Sequence, residues 1–345
     1  MMQDNEIYVG IVGAGIRGNL LGSAFSQTPN VRIVAVADKN LEVGKNLALK
    51  FGAKAYENHQ AMLSADKRIN TLLICTPDFA HFTIALEAAN RGLNFLVEKP
   101  LVMVGSEANE ILSAAKKSGA KAMVAFENRW NPVFKNLKSQ IVTGEIGAVR
   151  YQNYSLNDSL IVPLEMLSWA KLSSPGWFLM PHTLDLALWM GSSDVVEVFA
   201  YGSSGVCSSL GIDTLDAISA LVRLKDGTYF TLESNWILPK GMPQAFDFNI
   251  KVLGSYGAFD VSVSEPGFKK YTDKLHGVGV AHYEEAGEIR GMIFDMMLDF
   301  NKFISGSDIK VPDLARGTQI TEIIESIHES ISTGRPVKIA PKVSL

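Results

Sequence analysis

The chain has 345 residues, of which 47% are hydrophobic and 20% charged, and a formal net charge of -4 at pH 7. This length and composition suit a globular protein of two domains, and the weak negative charge gives no electrostatic reason to expect nucleic acid or an anionic membrane as a partner. We expect neither a secretion signal nor a membrane span, because the first residues are acidic and the run of about 18 apolar residues that a spanning helix needs is missing.

The first third of the chain alternates strand signals with helix signals. Short apolar runs predict strands, and apolar residues that recur every three or four positions predict helices. The predicted strands are 8–12, 31–37, 71–75, 94–97 and 122–126, and the predicted helices are 20–25, 41–51, 81–91 and 106–118. Such alternation is typical of a doubly wound parallel sheet with helices on both faces, so an α/β Rossmann domain is predicted for residues 1–126.

The pattern changes beyond residue 127. Residues 218–224, 228–236 and 246–252 alternate apolar and polar side chains, as strands do when one face of their sheet is exposed to water. Helices are predicted at 180–190, 291–304 and 314–332. We therefore predict a second domain, residues 127–345, of the α+β class with an open, mostly antiparallel sheet.

A glycine-rich loop, residues 13–18, follows the first predicted strand directly. Gly13 permits a tight turn, Gly15 lets the backbone approach a pyrophosphate, and Gly18 allows close packing of helix on strand. The backbone of Ile16 and Arg17 opens the helix whose positive end faces the phosphates. The loop predicts a dinucleotide site, with glycines used only for the geometry of a turn as the alternative.

The second predicted strand ends at Asp38, twenty positions after Gly18. A carboxylate there accepts hydrogen bonds from a ribose 2′-hydroxyl and repels a 2′-phosphate, which favours NAD over NADP. Lys39 follows at once and softens that repulsion, so NADP remains the less favoured alternative.

Two further motifs end strands at the edge where open α/β sheets bind ligands. Thr76 and Pro77 follow the third predicted strand, and Glu98, Lys99 and Pro100 follow the fourth. Lys99 at such a position can present its ammonium to a nicotinamide. The alternative is a surface lysine paired with Glu98.

The order of these motifs resembles the glucose–fructose oxidoreductase / inositol dehydrogenase (Gfo/Idh/MocA) family. The likeness runs over essentially the whole chain and rests on the segments GAGIRG, TPDFAH, VEKPL and AFENRWNP. It implies NAD as the cofactor, a polyol or sugar as the substrate, and Lys99 beside both. Thr76, Pro77 and Glu98 are expected near the cofactor because they follow strands at the ligand-binding edge of the sheet. His81 is a further candidate for a cofactor contact, and the alternative is a structural histidine at a helix start.

The resemblance also implies an active-site histidine on a helix of the second domain. His182 and Asp185 match the family's H-x-x-D pattern. A histidine suits a base because its pKa lies near neutrality. The alternative is a helix histidine whose hydrogen bonds Asp185 satisfies. Asn128 and Arg129 are placed by the family near cofactor or substrate, and an ion pair is the alternative for Arg129.

One position departs from the family pattern. Many members carry an aspartate one helical turn before the histidine, where this chain has Phe178. Asp185 or Asp158 then replaces that acid, or His182 works with Lys99 alone, or the redox reaction is lost or altered. The aromatic side chain makes this wall of the substrate pocket more apolar than a pure sugar site.

The sequence therefore predicts a cytoplasmic, NAD-dependent oxidoreductase that oxidises a hydroxyl of a polyol, sugar or sugar derivative. The alternatives are an enzyme that uses tightly bound NAD transiently in glycoside cleavage or epimerisation, and a sensor that binds dinucleotide and sugar without chemistry. Cys75 and Cys207 are expected to be reduced thiols rather than one disulfide. No metal site is predicted, since no His, Cys and carboxylate set has ligand spacing.

Two further expectations concern the second half of the chain. Its open sheet, together with the family's habit, predicts a homodimer or homotetramer. His276 and His282 lie in a glycine-rich stretch and are candidates for the mouth of the pocket.

Overall fold

The structure, a computed structural model, describes residues 6–191, 193–242, 244–263 and 281–340. Within these residues the helices are α1 (Ile16–Ser26), α2 (Leu41–Phe51), α3 (His59–Ala65), α4 (His81–Asn90), α5 (Gly105–Ser118), α6 (Pro132–Thr143), α7 (Pro175–Phe178), α8 (Met180–Met190), α9 (Val206–Ser209), α10 (Met292–Ile304) and α11 (Leu314–Thr333). The strands are β1 (Ile7–Val12), β2 (Val31–Ala37), β3 (Lys54–Tyr56), β4 (Thr71–Ile74), β5 (Asn94–Val97), β6 (Ala122–Val124), β7 (Val149–Asp158), β8 (Val195–Ser203), β9 (Ala217–Leu224), β10 (Tyr229–Asn235), β11 (Phe246–Gly254), β12 (Ala258–Ser262), β13 (His282–Glu285), β14 (Glu288–Gly291) and β15 (Val337–Lys338).

The chain forms two compact units, each built from two separate segments. The first unit combines Met1–Asn131 with Ala281–Gln319, and the second combines Pro132–Val280 with Ile320–Leu345. The boundary expected from the sequence at residues 126 and 127 lies close to the first crossing of the chain. The predicted domain division does not account for residues 281–319, which belong to the first unit.

The first unit contains a parallel sheet of six strands in the order β3-β2-β1-β4-β5-β6. Strand β4 is buried along its whole length, and β1 and β5 nearly so, because helices cover the sheet on both faces. The predicted Rossmann fold is confirmed. Strands β2 and β5 and helix α2 have the bounds that the sequence predicts, whereas β3 and α3 are additions to the prediction.

Glycines allow the close approach of β1, α1 and β4. A Cβ atom at Gly18 would lie 1.9 Å from the carbonyl oxygen of Gly13, so the first turn of α1 packs directly on the loop below it. Gly13 has φ +96°, and a Cβ atom there would lie 2.6 Å from the carbonyl oxygen of Cys75. Both positions therefore require glycine.

The segment 281–319 joins the first unit through helix α10. The ring of Phe300 packs on Phe25 of α1, with centroids 5.3 Å apart. Asn301 donates hydrogen bonds to the hydroxyl of Thr28 and to the carbonyl of Pro29. This packing covers one face of the Rossmann unit, which explains why a segment so distant in sequence belongs to it.

The second unit is built on a sheet of seven strands in the order β12-β11-β7-β10-β9-β8-β15. Among the strand pairs that the structure describes in this sheet, β7–β10 is parallel and the others are antiparallel, so the predicted open, mostly antiparallel sheet is confirmed. Phe230, Leu232 and Trp236 are buried on one face, as their alternation predicts. On the other face Tyr229 and Leu221 are exposed.

Both cysteines, Cys75 and Cys207, are free. In the described parts of the chain, no helix combines the length and hydrophobicity needed to cross a membrane.

Candidate functional site

The glycine-rich loop and Asp38 form a cradle at the carboxyl end of β1 and β2. Asp38 accepts a hydrogen bond from the backbone N–H of Ala14 at 2.7 Å and another from that of Asn40 at 2.8 Å. Gly15 has no atom within 4 Å of where a Cβ would lie, and Ile16 is 75% exposed. The loop therefore leaves bare backbone at the start of α1, where a pyrophosphate can approach.

These residues fit a dinucleotide. The hydrogen bonds to Ala14 and Asn40 hold the Asp38 carboxylate in one orientation, and its remaining lone pairs can accept from a ribose hydroxyl. Lys39 is exposed beside it. The loop lies on the positive end of α1, which favours phosphate groups.

His81 connects the loops that follow β4 and β5. Its Nδ1 lies 2.8 Å from the carbonyl oxygen of Pro100 and its Nε2 lies 2.9 Å from that of Thr76. The side chain is fully buried. The sequence names His81 as a cofactor contact, whereas in the structure both ring nitrogens face backbone carbonyls of the chain itself. Thr76 and Pro77 are partly exposed, and the Thr76 hydroxyl oxygen is buried without a partner among the described residues.

The loop that carries Lys99 is held at Glu98, the residue before Lys99, as well as at Pro100. Arg17 of the glycine-rich loop donates a hydrogen bond from Nε to Glu98, and its Nη2 lies 3.4 Å from Oε1 of Glu127. Lys99 itself is half-buried and makes contacts within the structure. Its neighbours on both sides are thus anchored, Glu98 by Arg17 and Pro100 by His81.

The arginine and the two glutamates form a charge cluster in which both glutamates are buried and the arginine is partly exposed. Burial alone would lower the pKa of the Arg17 guanidinium, but the charges of Glu98 and Glu127 outweigh it and raise that pKa. The guanidinium is therefore a permanent cation between two carboxylates. Burial raises the pKa of the nearby Cys75 thiol, and the charge of Glu98 adds to the effect, so Cys75 stays protonated and is not a nucleophile.

His282 belongs to the same cluster. Burial lowers the pKa of its imidazole, the charge of Arg17 lowers it further and that of Glu127 opposes the change. Its Nδ1 is buried without a hydrogen-bond partner in the described part of the chain. His276, the other histidine of that stretch, lies outside the described residues.

The sequence predicts Arg17 at the cofactor, but it does not indicate that the Arg17 side chain pairs with Glu98 and Glu127. One feature of the sequence could have indicated this pairing. The three residues follow β1, β5 and β6, and the carboxyl ends of parallel strands lie at the same edge of a sheet. Nothing in the local sequence indicates that His282 joins them. Asn128 and Arg129 follow Glu127 in the same turn and are half-buried.

The second unit carries the predicted base. His182 lies in the first turn of α8, partly exposed, and Asp185 lies one turn later and is buried. Phe178 ends the short helix α7 that precedes α8. Its ring packs edge-on against Trp169 and Trp236, with centroids 5.9 and 5.8 Å away.

The side chains of Trp169, Phe178 and Trp236 thus form an aromatic cluster. Phe178 occupies the position where the family pattern has an aspartate. Asp158, the other acid considered as its replacement, is buried at the end of β7. Among the described residues, no three His, Cys, Asp or Glu side chains gather in a way that would hold a metal ion.

Comparison with known proteins gives consistent matches along the chain. A model of the oxidoreductase family with an NAD-binding Rossmann fold, GFO_IDH_MocA, matches residues 7–126, and that of the GFO/IDH/MocA C-terminal domain matches residues 134–260. The glucose-6-phosphate 3-dehydrogenase of Bacillus subtilis is 23% identical over 96% of this chain and 98% of its own. The inositol 2-dehydrogenase of Rubrobacter xylanophilus is 23% identical over 98% of this chain and 95% of its own. The crystal structure of GenD2 from gentamicin A biosynthesis, in complex with NAD, aligns over 97% of both chains with a TM-score of 0.82 and 21% identity.

Proposed function

The chain belongs to the Gfo/Idh/MocA oxidoreductase family and carries its NAD-binding Rossmann domain, and from this premise we propose that it is an NAD-dependent dehydrogenase of a polyol, sugar or sugar derivative. The reaction converts a secondary alcohol to a ketone. When bound, the nicotinamide supplies the acceptor for the hydride. Two relatives are named for oxidation of a ring carbon that carries a hydroxyl, in inositol and in glucose 6-phosphate, and this supports the substrate class.

His182 and Lys99 carry the proposed chemistry. His182 takes the hydroxyl proton as general base, for which a partly exposed imidazole is suited. Lys99 donates a hydrogen bond to the same hydroxyl oxygen and stabilises the negative charge that develops there. Asp185, buried one helical turn after His182, supports the helix position of the base.

The observation that carries this proposal is the anchoring of the Lys99 loop. Glu98 is bound by Arg17 of the glycine-rich loop, and the carbonyl of Pro100 faces His81. A lysine that only covered a surface would not need both neighbours held by buried side chains. Fixed positioning is what catalysis by a charged group requires, because displacement by about 1 Å can cost 10²-fold in rate.

We propose NAD rather than NADP because of the hydrogen bonds of Asp38. Its carboxylate is tied to the backbone of Ala14 and Asn40 and so cannot easily turn away from the ribose. A 2′-phosphate would meet this fixed negative charge. Kinetics with the true substrate should favour NAD, and a tenfold or greater preference for NADP would contradict the assignment.

The experiment screens inositols, aldoses, sugar acids and amino sugars as substrates for NAD reduction. The formation of NADH is monitored by its absorbance at the nicotinamide band. We expect NADH to accumulate with at least one member of the panel. NAD binding without NADH formation from any of them would contradict the dehydrogenase assignment.

Phe178 favours a second candidate, in which the protein binds dinucleotide and sugar without net oxidation. Its aromatic cluster with Trp169 and Trp236 replaces an acid that many relatives use. In this case the protein is either a sensor or an enzyme that uses tightly bound NAD transiently. Such an enzyme reduces and reoxidises its NAD during glycoside cleavage or epimerisation. The same screen separates these, since a sensor leaves every sugar unchanged whereas transient redox chemistry changes the sugar without free NADH.

We also propose that the outer face of the seven-stranded sheet joins two copies in a homodimer or homotetramer. Tyr229 and Leu221 are exposed on that face, and the rings of Tyr151 and Tyr229 pair 5.1 Å apart. Exposed aromatic patches usually mark association. Light scattering should give at least a dimer at micromolar concentration, and a monomer would contradict this.

A further inference from the structure

Several buried polar atoms at the carboxyl edge of the Rossmann sheet lack a hydrogen-bond partner among the residues that the structure describes. Three of them belong to one cluster and are Arg17 Nη2, Glu127 Oε2 and His282 Nδ1. Buried polar groups in native proteins are satisfied in about nine cases of ten. Three unsatisfied atoms in one place therefore indicate a polar group that arrives with a ligand.

The three side chains lie close enough to act on one another. Arg17 Nη2 lies 3.4 Å from Glu127 Oε1, and strand β13, which begins at His282, pairs with β14, which packs on α1, the helix that carries Arg17. The charges of Arg17 and Glu127 also act on the His282 imidazole. Arg17 donates from Nε to Glu98, and the contact of its Nη2 with Glu127 Oε1 is an ion pair that is not a hydrogen bond. Hydrogen-bonding capacity therefore remains on Nη2 and on Glu127 Oε2. The cluster thus offers one charged donor and, from Glu127 and His282, one or two acceptors.

The order of the strands shows which part of the dinucleotide this cluster faces. Asp38, the ribose residue, follows β2 on one side of β1, and the loop of residues 13–18 for the pyrophosphate follows β1 itself. Glu98 and Glu127 follow β5 and β6, on the other side of β1. A dinucleotide laid along this edge has its nicotinamide half toward β4, β5 and β6, next to Lys99.

We propose that Arg17, Glu127 and His282 bind the carboxamide group of the nicotinamide. The carboxamide has one oxygen that accepts and one NH₂ that donates. Arg17 Nη2 donates to that oxygen, and Glu127 Oε2 or His282 Nδ1 accepts from the NH₂, which satisfies at least two of the three atoms that lack a partner in the protein. This inference refines the proposed function but requires only that the chain binds NAD.

The first experiment uses the wild-type protein and no substrate. Calorimetry compares the binding of NADH with that of its 3-acetylpyridine analogue, in which a methyl group replaces the NH₂. Loss of a hydrogen bond to a buried charged group predicts binding of the analogue that is weaker by about tenfold or more. Equal affinity for the two cofactors would overturn the proposal.

The second experiment assigns the preference to Glu127. The Glu127→Met variant removes the acceptor at similar length, so NADH affinity should fall by about tenfold while that for the analogue changes little. Glu127→Gln, which keeps an acceptor oxygen, should retain part of the preference. Glu87→Met is the matched control, because Glu87 is also partly buried and paired with an arginine, Arg91, but lies elsewhere in the unit; it should leave the preference unchanged.

The outcomes distinguish a Glu127 that binds the carboxamide from a Glu127 that is only a counter-ion of Arg17. If Glu127→Met weakens both cofactors equally, Glu127 is only a counter-ion of Arg17 and the carboxamide site is wrong. If that variant does not fold, the wild-type comparison and Glu127→Gln still decide. These experiments do not measure turnover, so the carboxamide site can be correct even if the dehydrogenase assignment is wrong. Equally, the dehydrogenase assignment can be correct if the carboxamide site is wrong.

Discussion

The two units hold their candidate catalytic residues in different ways. In the first unit, Lys99 stands on a loop whose neighbours are fixed by Arg17 and His81, so its position depends on contacts between several strand ends. In the second unit, His182 stands on the first turn of helix α8, beside an aromatic cluster around Phe178. Lys99 in the first unit is thus held through a polar network, while His182 in the second unit lies beside an apolar cluster.

The largest effect is expected from removing the two proposed catalytic groups. Lys99→Ala and His182→Ala should each lower turnover by at least about 10²-fold, the usual contribution of positioned acid–base groups. NADH binding should change little in His182→Ala. Lys45→Ala is a suitable control, because this exposed lysine pairs with Glu42 on the surface of the first unit. Near wild-type turnover in both variants would refute the assignments.

The next effect concerns the stability of the first unit. Gly13→Ala combines φ +96° with a Cβ atom 2.6 Å from the Cys75 carbonyl, whereas Gly52 has φ +63° and open space around it. Gly52→Ala should cost about 1 kcal/mol in the free energy of unfolding, and Gly13→Ala about 2 kcal/mol more. Urea unfolding measures both. Equal losses would show that the loop after β1 tolerates a side chain and that its packing on β4 has been overestimated.

A smaller effect tests whether His81 positions Lys99. His81→Phe keeps a ring but removes both polar contacts, so turnover should fall by about tenfold while the KM for NAD stays nearly constant. His81→Asn, which retains an N–H donor near the place of Nδ1, should recover part of the loss. His59→Phe is the control, since His59 is also buried in the first unit but pairs with Glu87. If both histidine-to-phenylalanine variants lower stability alone, His81 has only a structural role.

The smallest effect is a pH dependence of stability in the second unit. Burial lowers the pKa of His328, although its contact with the Ile324 carbonyl opposes this, while the ring stacks on Trp177. The unfolded chain then binds the proton more readily than the folded one, so the contribution of neutral His328 is complete above pH 6.5 and decreases as the pH falls below it. His328→Phe keeps the stacking and should flatten this part of the stability profile. An unchanged profile would mean that other groups, such as His282 in the first unit, dominate it.

The sequence was sufficient for the parts of the fold that short-range rules determine. Strand β2 and helix α8 have the predicted bounds, and Asp38 stands at the strand end where the fingerprint requires it. The return of residues 281–319 to the first unit was not predictable, because it depends on contacts such as Phe25 with Phe300. The same holds for the partners of Arg17, since a pairing over 81 residues with Glu98 leaves no periodic signal in the sequence.

The central claim is that Lys99 and His182 act on the same hydroxyl, and a double-variant cycle tests it most directly. Turnover is measured for Lys99→Ala, His182→Ala and the combined variant with the substrate found in the screen. Groups that act together in one step are strongly non-additive. We predict that the double variant loses little more than the more impaired single variant. A loss equal to the product of the two single losses would contradict the claim and show that the two residues work independently.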